Sequence, residues 1–416
     1  MDFSLSDHQL LIRNTVRQFM ESEVRPHVKD WERTNHFPLD AIQKLGALGC
    51  CGMLMPEEWG GPGLDTISYV LMLEEVARVH AAMSTTLSVT NSAVQIPLLA
   101  YGSDAQKSRY LKALASGKII GSFCLTEPAA GSDAAGIQTT AVLRTKNCQP
   151  ERGEGSASST SSTSSSSSTS YVLNGTKTWV TNGSAAGLFI VFAKTNPSAG
   201  GKGISAFLLE PNTPSFKIGR HEDKMGQRSS PSVELIFNDC AVPASNRLGE
   251  EGQGLRIALS ALDGGRIGIA AQAVGLAQGA LDESVKYARA RKAFGKSIGE
   301  FQAIQWMLAD MHTEIEAARA LLYQAAFRKD LLSSTSSASS ASLTSSPSAS
   351  SRAKLYASEM VNRVVYKAVQ IHGSLGYSRE SDVERMYRDA RVITIYEGTS
   401  EIQRTIIARD LLSRAT

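Results

Sequence analysis

Hydrophobic and polar positions alternate with three different rhythms along this chain. Near the start, Ser6 and Gln9 have capping-box spacing, and Leu11, Ile12, Val16, Phe19 and Met20 follow at helical intervals. The same rhythm predicts helices over Leu39–Leu48, Thr66–Val79 and Asp104–Ala115, separated by turns such as PEEWGGPGLD. The middle reads differently. TTAVLRT, YVLNGTKTWVTN, LFIVFAK, ISAFLLE and SVELIFN are short runs rich in β-branched and aromatic residues, bounded by Gly, Pro and Asn. They predict an antiparallel sheet or barrel, with NGT (174–176) as a hairpin signal and Trp179 and Thr181 on one strand face. From Gly254 the helical period returns, with Ile269, Ala273, Ala277, Leu281 and Val285 repeating every fourth residue. Twelve of the 13 prolines lie at or before Pro243, so the last third is free to form long helices.

The expected fold class is α+β: an all-α N-terminal domain (1–120), a middle β domain (121–243) and a C-terminal helical domain (244–416). Two serine-rich tracts, 156–170 and 333–351, interrupt the plan between predicted strands and between predicted helices. Neither offers apolar surface to bury, and both are expected to be mobile loops.

Composition narrows the function classes. The 416 residues are 42% hydrophobic and 20% charged, as expected of a soluble globular protein with a large core. A net charge of +3, with acids and bases mixed along the chain, gives no footprint for nucleic acid or an anionic membrane. The five cysteines have neither CxxC nor metal-ligand spacing, which suggests reduced thiols inside a cell. No apolar run approaches the roughly 18 residues that cross a bilayer. The N-terminus resembles neither a signal peptide nor an Arg-rich transit sequence.

Four segments hold candidate chemistry. FCLTEPAAGSDAAG (123–136) exposes backbone N–H groups and small hydroxyls that suit a flat polar ring or a phosphate, or else forms an ordinary domain junction. Trp179 in NGTKTWVTNG is either core or a cofactor wall. Asp263 and Arg266 in LDGGRIGIA lie one helical turn apart, as in a weak surface ion pair. Arg291 and Gln302 in the following segment are either phosphate ligands or a solvated helix end. His372, in QIHGSLGYSRE, has no Cys or acid at ligand spacing, so no metal is expected. Finally, ITIYEGTSEIQR (393–404) sets Glu397 before Gly398 and a helix start that Ser400 and Gln403 are placed to cap. An acid on such a corner fits a base, or a surface Glu on a turn.

Taken in order, TEPAAGSD, KTWVTNG, RKAFGKSIGEFQAIQ and IYEGTSEIQR resemble the acyl-CoA dehydrogenase family. The likeness runs from about residue 5 to about 412, serine tracts excepted, and is strongest to the short-chain (butyryl-CoA) members. It implies a helical domain, a β domain and a C-terminal four-helix domain, with FAD held non-covalently in a homotetramer. By this resemblance, Phe123, Leu125, Thr126, Ser132, Trp179, Val180 and Thr181 are flavin neighbours. Arg291, Phe294 and Gln302 match residues reaching the FAD of a neighbouring subunit. Gln370, Ile371, His372, Gly373 and Ser374, with Thr399, Ser400 and Glu401, match its other contacts. Ser132, Asp263, Gly264, Gly265, Arg266 and Gly398 match acyl-CoA contacts.

Glu397 matches the family's catalytic base, taking the α-proton of a thioester while the β-hydride passes to flavin N5. The product is a trans-2-enoyl-CoA, and electrons leave to electron-transfer flavoprotein. Isovaleryl- and long-chain-type members carry their base at the position of Gly265, which has no side chain to take a proton, so Glu397 is the sole candidate. Ser374 departs from the family's usual paired glycines. Family habit implies the mitochondrial matrix, or the cytoplasm in a bacterium. Substrates that are branched or of medium length, an oxidase passing electrons to oxygen, and a non-catalytic flavin or CoA binder are the alternatives.

Overall fold

The computed structural model describes residues 4–146, 168–335 and 347–413. Its first region is helical: α1 (Asp7–Phe19), α2 (Val28–Thr34), α3 (Leu39–Ala47), α4 (Thr66–Val79), α5 (Ala81–Ser88), α6 (Ile96–Tyr101) and α7 (Asp104–Ala115). The expected box at Ser6 and Gln9 forms in both directions, and Asp65 caps α4 by accepting from Ser68 N at 2.6 Å.

Eight strands follow: β1 (Ile120–Cys124), β2 (Thr140–Lys146), β3 (Ser168–Thr181), β4 (Ala186–Lys194), β5 (Ile204–Leu209), β6 (Phe216–His221), β7 (Ser232–Pro243) and β8 (Arg247–Leu248). They form one sheet in the order β6-β7-β3-β2-β4-β5-β8, with β1 branching off β4. Pairing is antiparallel except for β1 on β4 and the single β2–β4 contact. The last region is dominated by α8 (Gly254–Ala290), α9 (Gln302–Thr335) and α10 (Pro347–His372), followed by α11 (Asp382–Ala390) and α12 (Ser400–Ser413).

One core joins α1–α5 to α8–α11, and two smaller ones lie on the two faces of the sheet. The first depends on close approach of α4 to α8. A Cβ at Gly275 would stand 2.1 Å from the carbonyl oxygen of Glu74, so only glycine fits that crossing.

Two expectations are corrected. NGT is no hairpin: β3 runs straight through it, and its register against β7 slips between Leu173 and Gly175. Asn174 fastens this bulge, its Oδ1 accepting from Asp239 N at 2.8 Å and its Nδ2 donating to Asp239 Oδ1 at 3.1 Å. Nor are the serine tracts loops throughout. Ser168–Ser170 pair with Arg144–Lys146 in the sheet, residues 333–335 end α9, and residues 347–351 open α10. Pro347 takes the first helical position, where its missing N–H is harmless, and Ser348, Ser350 and Ser351 are buried. Small hydroxyls suit a crowded helix interface, which composition alone does not reveal. The rest of each tract lies outside the described residues.

Candidate active site

Glu397 stands where a short 3-10 turn (Arg391–Thr394) gives way to α12. Its φ is +53° and that of Gly398 is +86°, two successive left-handed residues. For a non-glycine residue this conformation is unfavourable by about 1–3 kcal/mol and persists only where the surroundings hold it. The surroundings do so through the two carbonyls of the corner. Gln403 Nε2 donates to Glu397 O at 3.1 Å and to Gly398 O at 2.9 Å, and Lys354 Nζ donates to Gly398 O at 2.8 Å. Gln403 is thereby taken from the expected capping box. Thr399 caps α12 instead, through Ile402 N at 3.4 Å, and Ser400 Oγ is buried without a hydrogen-bond partner among the described residues.

The carboxylate hangs over the first third of α8, at Gly265. A Cβ at Gly265 would lie 2.5 Å from Glu397 Oε2 and 2.8 Å from its carboxyl carbon, so a side chain at 265 and an acid at 397 compete for one space. Oε2 is withdrawn from solvent and has no hydrogen-bond partner among the described residues. Burial pushes this acid up to about 7, against the pull of the Arg266 guanidinium and the Lys354 ammonium. Tyr69 faces it from α4, its hydroxyl 3.4 Å from Ser88 Oγ.

Asp263 and Arg266 are not the surface pair expected from their spacing. Arg266 is 6% exposed, its guanidinium is 3.6 Å from Asp263 Oδ1, and its Nε has no hydrogen-bond partner among the described residues. Ser350, from α10, donates to Asp263 Oδ1 at 2.5 Å. Burial raises the Asp263 carboxyl, opposed by that bond and by Arg266. Gly264, Gly265, Arg266, Glu397 and Gly398 thus converge where α8, α10 and the start of α12 meet.

On the sheet side, the first two motifs are stitched together. Thr178 N donates to Thr126 O at 2.9 Å, Ser122 Oγ to Thr181 O at 2.7 Å, and Asn182 Nδ2 to Gly121 O at 3.0 Å. Buried Lys177 donates to Leu125 O at 3.1 Å and to Glu127 Oε1 at 2.7 Å. Regular alternation over KTWVTN breaks, because the β3–β7 register shifts again between Lys177 and Val180 and Trp179 takes a φ of +57°. The indole is 59% exposed, which rules out the core alternative for Trp179. Thr126 and Thr181 are half-buried and Ser132 is exposed, while Leu125 and Val180 turn into the core. The Phe123 ring packs on Phe192 at 4.9 Å, as part of the sheet's own packing.

A second group lies elsewhere. Arg291 sits at the far end of α8, roughly 39 Å along the helix from Gly265. Phe294 (95% exposed) and Gln302 are beside it on the surface. The end of α10 joins them, with the His372 ring stacked on Tyr287 at 4.4 Å and its Nδ1 2.8 Å from Ala368 O. Ile371 and His372 are buried, whereas Gln370, Gly373 and Ser374 are exposed. A single chain does not bring this group to Glu397. Thr399 is half-buried and Glu401 exposed at the start of α12, on the Glu397 side.

Lys354, Ser350 and the true role of Gln403 were not anticipated. The signal was present, since Ser350, Lys354, Ser358, Val361 and Val365 form one buried stripe at helical spacing. Reading 333–351 as a loop hid its first turn.

Similarity to known proteins agrees with this geometry. Family models described as the acyl-CoA dehydrogenase N-terminal, middle and C-terminal domains match residues 6–118, 122–240 and 252–412. The short-chain specific acyl-CoA dehydrogenase of Clostridium acetobutylicum is 42% identical over 408 residues, covering 98% of this chain and 99% of its own. The mitochondrial short-chain enzyme of Mus musculus is 44% identical, covering 97% and 90%. A caffeyl-CoA reductase-Etf complex subunit of Acetobacterium woodii is 42% identical, covering 98% and 99%.

Among solved structures, butyryl-CoA dehydrogenase from Megasphaera elsdenii superposes with a TM-score of 0.88 at 41% identity, covering 99% of this chain and 100% of its own. An acyl-CoA dehydrogenase from Bacillus anthracis complexed with FAD gives 0.88 at 33%, covering 99% and 68%. Bacterial and mitochondrial relatives match about equally, so likeness gives no support to the matrix over the cytoplasm. The three matched segments together span nearly the whole chain, and with these full-length relatives they show that this chain belongs to the acyl-CoA dehydrogenase family.

Proposed function

We propose that this chain is a short-chain acyl-CoA dehydrogenase in which Glu397 removes the α-proton of the thioester. One observation carries the reading: a half-buried carboxylate whose Oε2 is closed off from solvent and unpartnered among the described residues, held over a glycine on a clamped left-handed corner. A thioester α-proton is weakly acidic, and a base raised to about 7 matches it far better than an ordinary carboxylate while staying half ionised near neutral pH. The backbone N–H of Glu397 makes no hydrogen bond among the described residues. It is available to the thioester oxygen, where one such donor contributes about 3 kcal/mol as negative charge develops.

The orphaned polar atoms of Arg266, Ser400 and Glu397 and the outward Trp179 fit a ligand that completes the site. We assign Ser132, Asp263, Gly264, Gly265, Arg266 and Gly398 to the acyl-CoA. FAD, when bound, supplies the acceptor for the hydride leaving the β-carbon. Phe123, Leu125, Thr126, Trp179, Val180, Thr181 and Thr399–Glu401 would hold it on this chain, Leu125 and Val180 through their backbone. Arg291, Phe294, Gln302 and Gln370–Ser374, so distant along α8 and α10, would serve the FAD of a second copy, which supports a homotetramer. Electron-transfer flavoprotein as the oxidant is supported by the Etf complex named for the Acetobacterium relative.

That relative also favours a second reading, in which the same acid gives its proton to the α-carbon of an enoyl-CoA. An acid near pH 7 serves either direction. Anaerobic mixing with straight C4–C8 and branched acyl-CoAs, and of the reduced protein with crotonyl-CoA, tests both. Butyryl-CoA should bleach the flavin fastest. Bleaching by none of the thioesters would overturn the dehydrogenase reading, and oxidation by crotonyl-CoA alone would install the reductase.

A further inference from the structure

We propose that Lys354 is a positioning residue for the base, clamping the corner through Gly398 and setting the charge against which Glu397 ionises. This rests on Glu397 being the base. Lys354 is fully buried, one helical turn after Ser350 on α10, and its ammonium has a carbonyl partner rather than a carboxylate. A buried lysine is expensive unless it is paired, and pairing with a carboxylate is the usual solution. Here the carboxylate is close enough for mutual influence, yet the ammonium donates to the neighbouring backbone. The consequence is specific. Glu397 feels the positive charge while its Oε2 stays unbonded and available to a proton.

The same ammonium holds geometry. Gly398 O accepts from both Lys354 and Gln403, and Glu397 O accepts from Gln403, so both peptide planes of the left-handed corner are pinned by side chains from two helices. The groups facing Glu397 are Arg266 from α8, Lys354 from α10, Tyr69 from α4 and the adjoining Tyr396. Lys354 in turn feels Arg266, Glu359 and Glu401. Arg266 has Asp263 beside it to divide its charge. Lys354, whose hydrogen-bond partner among the described residues is a backbone carbonyl, is the freer of the two cations.

Lys354→Met and Lys354→Arg in the holoenzyme test this. Two readouts are needed: flavin reduction by butyryl-CoA against pH, and the Glu397 carboxyl stretch followed by pH-difference infrared spectroscopy with Glu397→Gln as the blank. The infrared arm reports on the base even if butyryl-CoA proves a poor substrate, so failure here is distinguishable from failure of the dehydrogenase reading. Removing the cation should move the carboxyl midpoint, and the acid limb of the rate, up by about one pH unit, with kcat falling more than KM rises. Lys354→Arg keeps the charge and displaces the donor, so its midpoint should stay while its rate falls. An unmoved midpoint in Lys354→Met, or a moved one in Lys354→Arg, overturns the proposal. Should the methionine variant not fold, the arginine variant alone decides.

Discussion

Among the described residues, two glutamates stand beside a fully buried lysine, with opposite results. In the sheet domain, Glu127 and Lys177 bond directly at 2.7 Å, and the carboxylate also accepts from Gln138 N at 2.5 Å and Thr139 N at 3.0 Å. Burial pushes the Glu127 carboxyl up, but Lys177 and the two N–H groups outweigh it and hold the group below the ordinary range. At the corner, Lys354 bonds the chain instead of the acid, Oε2 of Glu397 is unbonded, and burial prevails. A satisfied buried carboxylate is a structural tie, whereas an unsatisfied one is a reagent. Hydrogen bonds, rather than burial, separate the two.

Glu397→Gln gives the largest effect. It is nearly isosteric and removes only the ability to take a proton, so flavin reduction should fall by about 10⁴-fold, the upper range for a general base. The protein should remain yellow and still bind acyl-CoA. Stopped-flow bleaching under nitrogen, with FAD content measured in parallel, reads both.

Glu127→Gln should do the reverse. It strands a buried ammonium, at a cost of about 3–5 kcal/mol in stability, with the chemistry at Glu397 untouched in whatever folds. Denaturant unfolding of the holoenzyme measures it. A stable Glu127→Gln protein with slow chemistry would erase the distinction between the two acids.

Gly265→Ala is the next step down. Alanine favours helix, but its Cβ would meet Glu397 Oε2 at 2.5 Å, so the carboxylate must move. A displacement of about 1 Å can cost about 100-fold in rate, with little loss of thermal stability.

This contrast also marks what could be read in the sequence. Helix ends at Thr66–Val79 and Asp104–Ala115 were legible because caps and apolar period coincide there. Glu397 was legible through its motif, and the exclusion of a base at Gly265 has a steric counterpart in the space it leaves. The Glu127–Lys177 tie was not, since it joins segments 50 residues apart and neither residue type signals burial. Lys354 was hidden for a different reason. Its helix opens inside a serine-rich tract, and composition outweighed the buried stripe that Ser350 and Lys354 share with Val361. Trp179 was mispatterned because the register slip beside it breaks a period-two reading.

The smallest effect is a difference in slope with pH. An acid whose folded pKa is raised binds its proton more tightly in the folded state than in the unfolded chain, so its contribution to stability is greatest at low pH and is lost as pH rises. For Glu397, raised from 4.5 to about 7, the loss falls between those values. From pH 5.5 to pH 8 it amounts to about 2 kcal/mol at 1.36 kcal/mol per unit. Glu127, held low, has the opposite sign: its stabilisation is present above the unfolded value and fades as pH falls through the folded one. Asp389 and Glu74, also raised to about 7 by burial, add slopes of the same sign as Glu397, so the absolute curve of the wild-type protein is a composite. The difference between wild type and Glu397→Gln isolates the contribution of Glu397. Their unfolding free energies should draw together near pH 5 and separate by pH 8, with the glutamine protein the more stable. Parallel curves would mean that the corner carboxylate is solvated, and the contrast between a tie and a reagent would lose its physical cause.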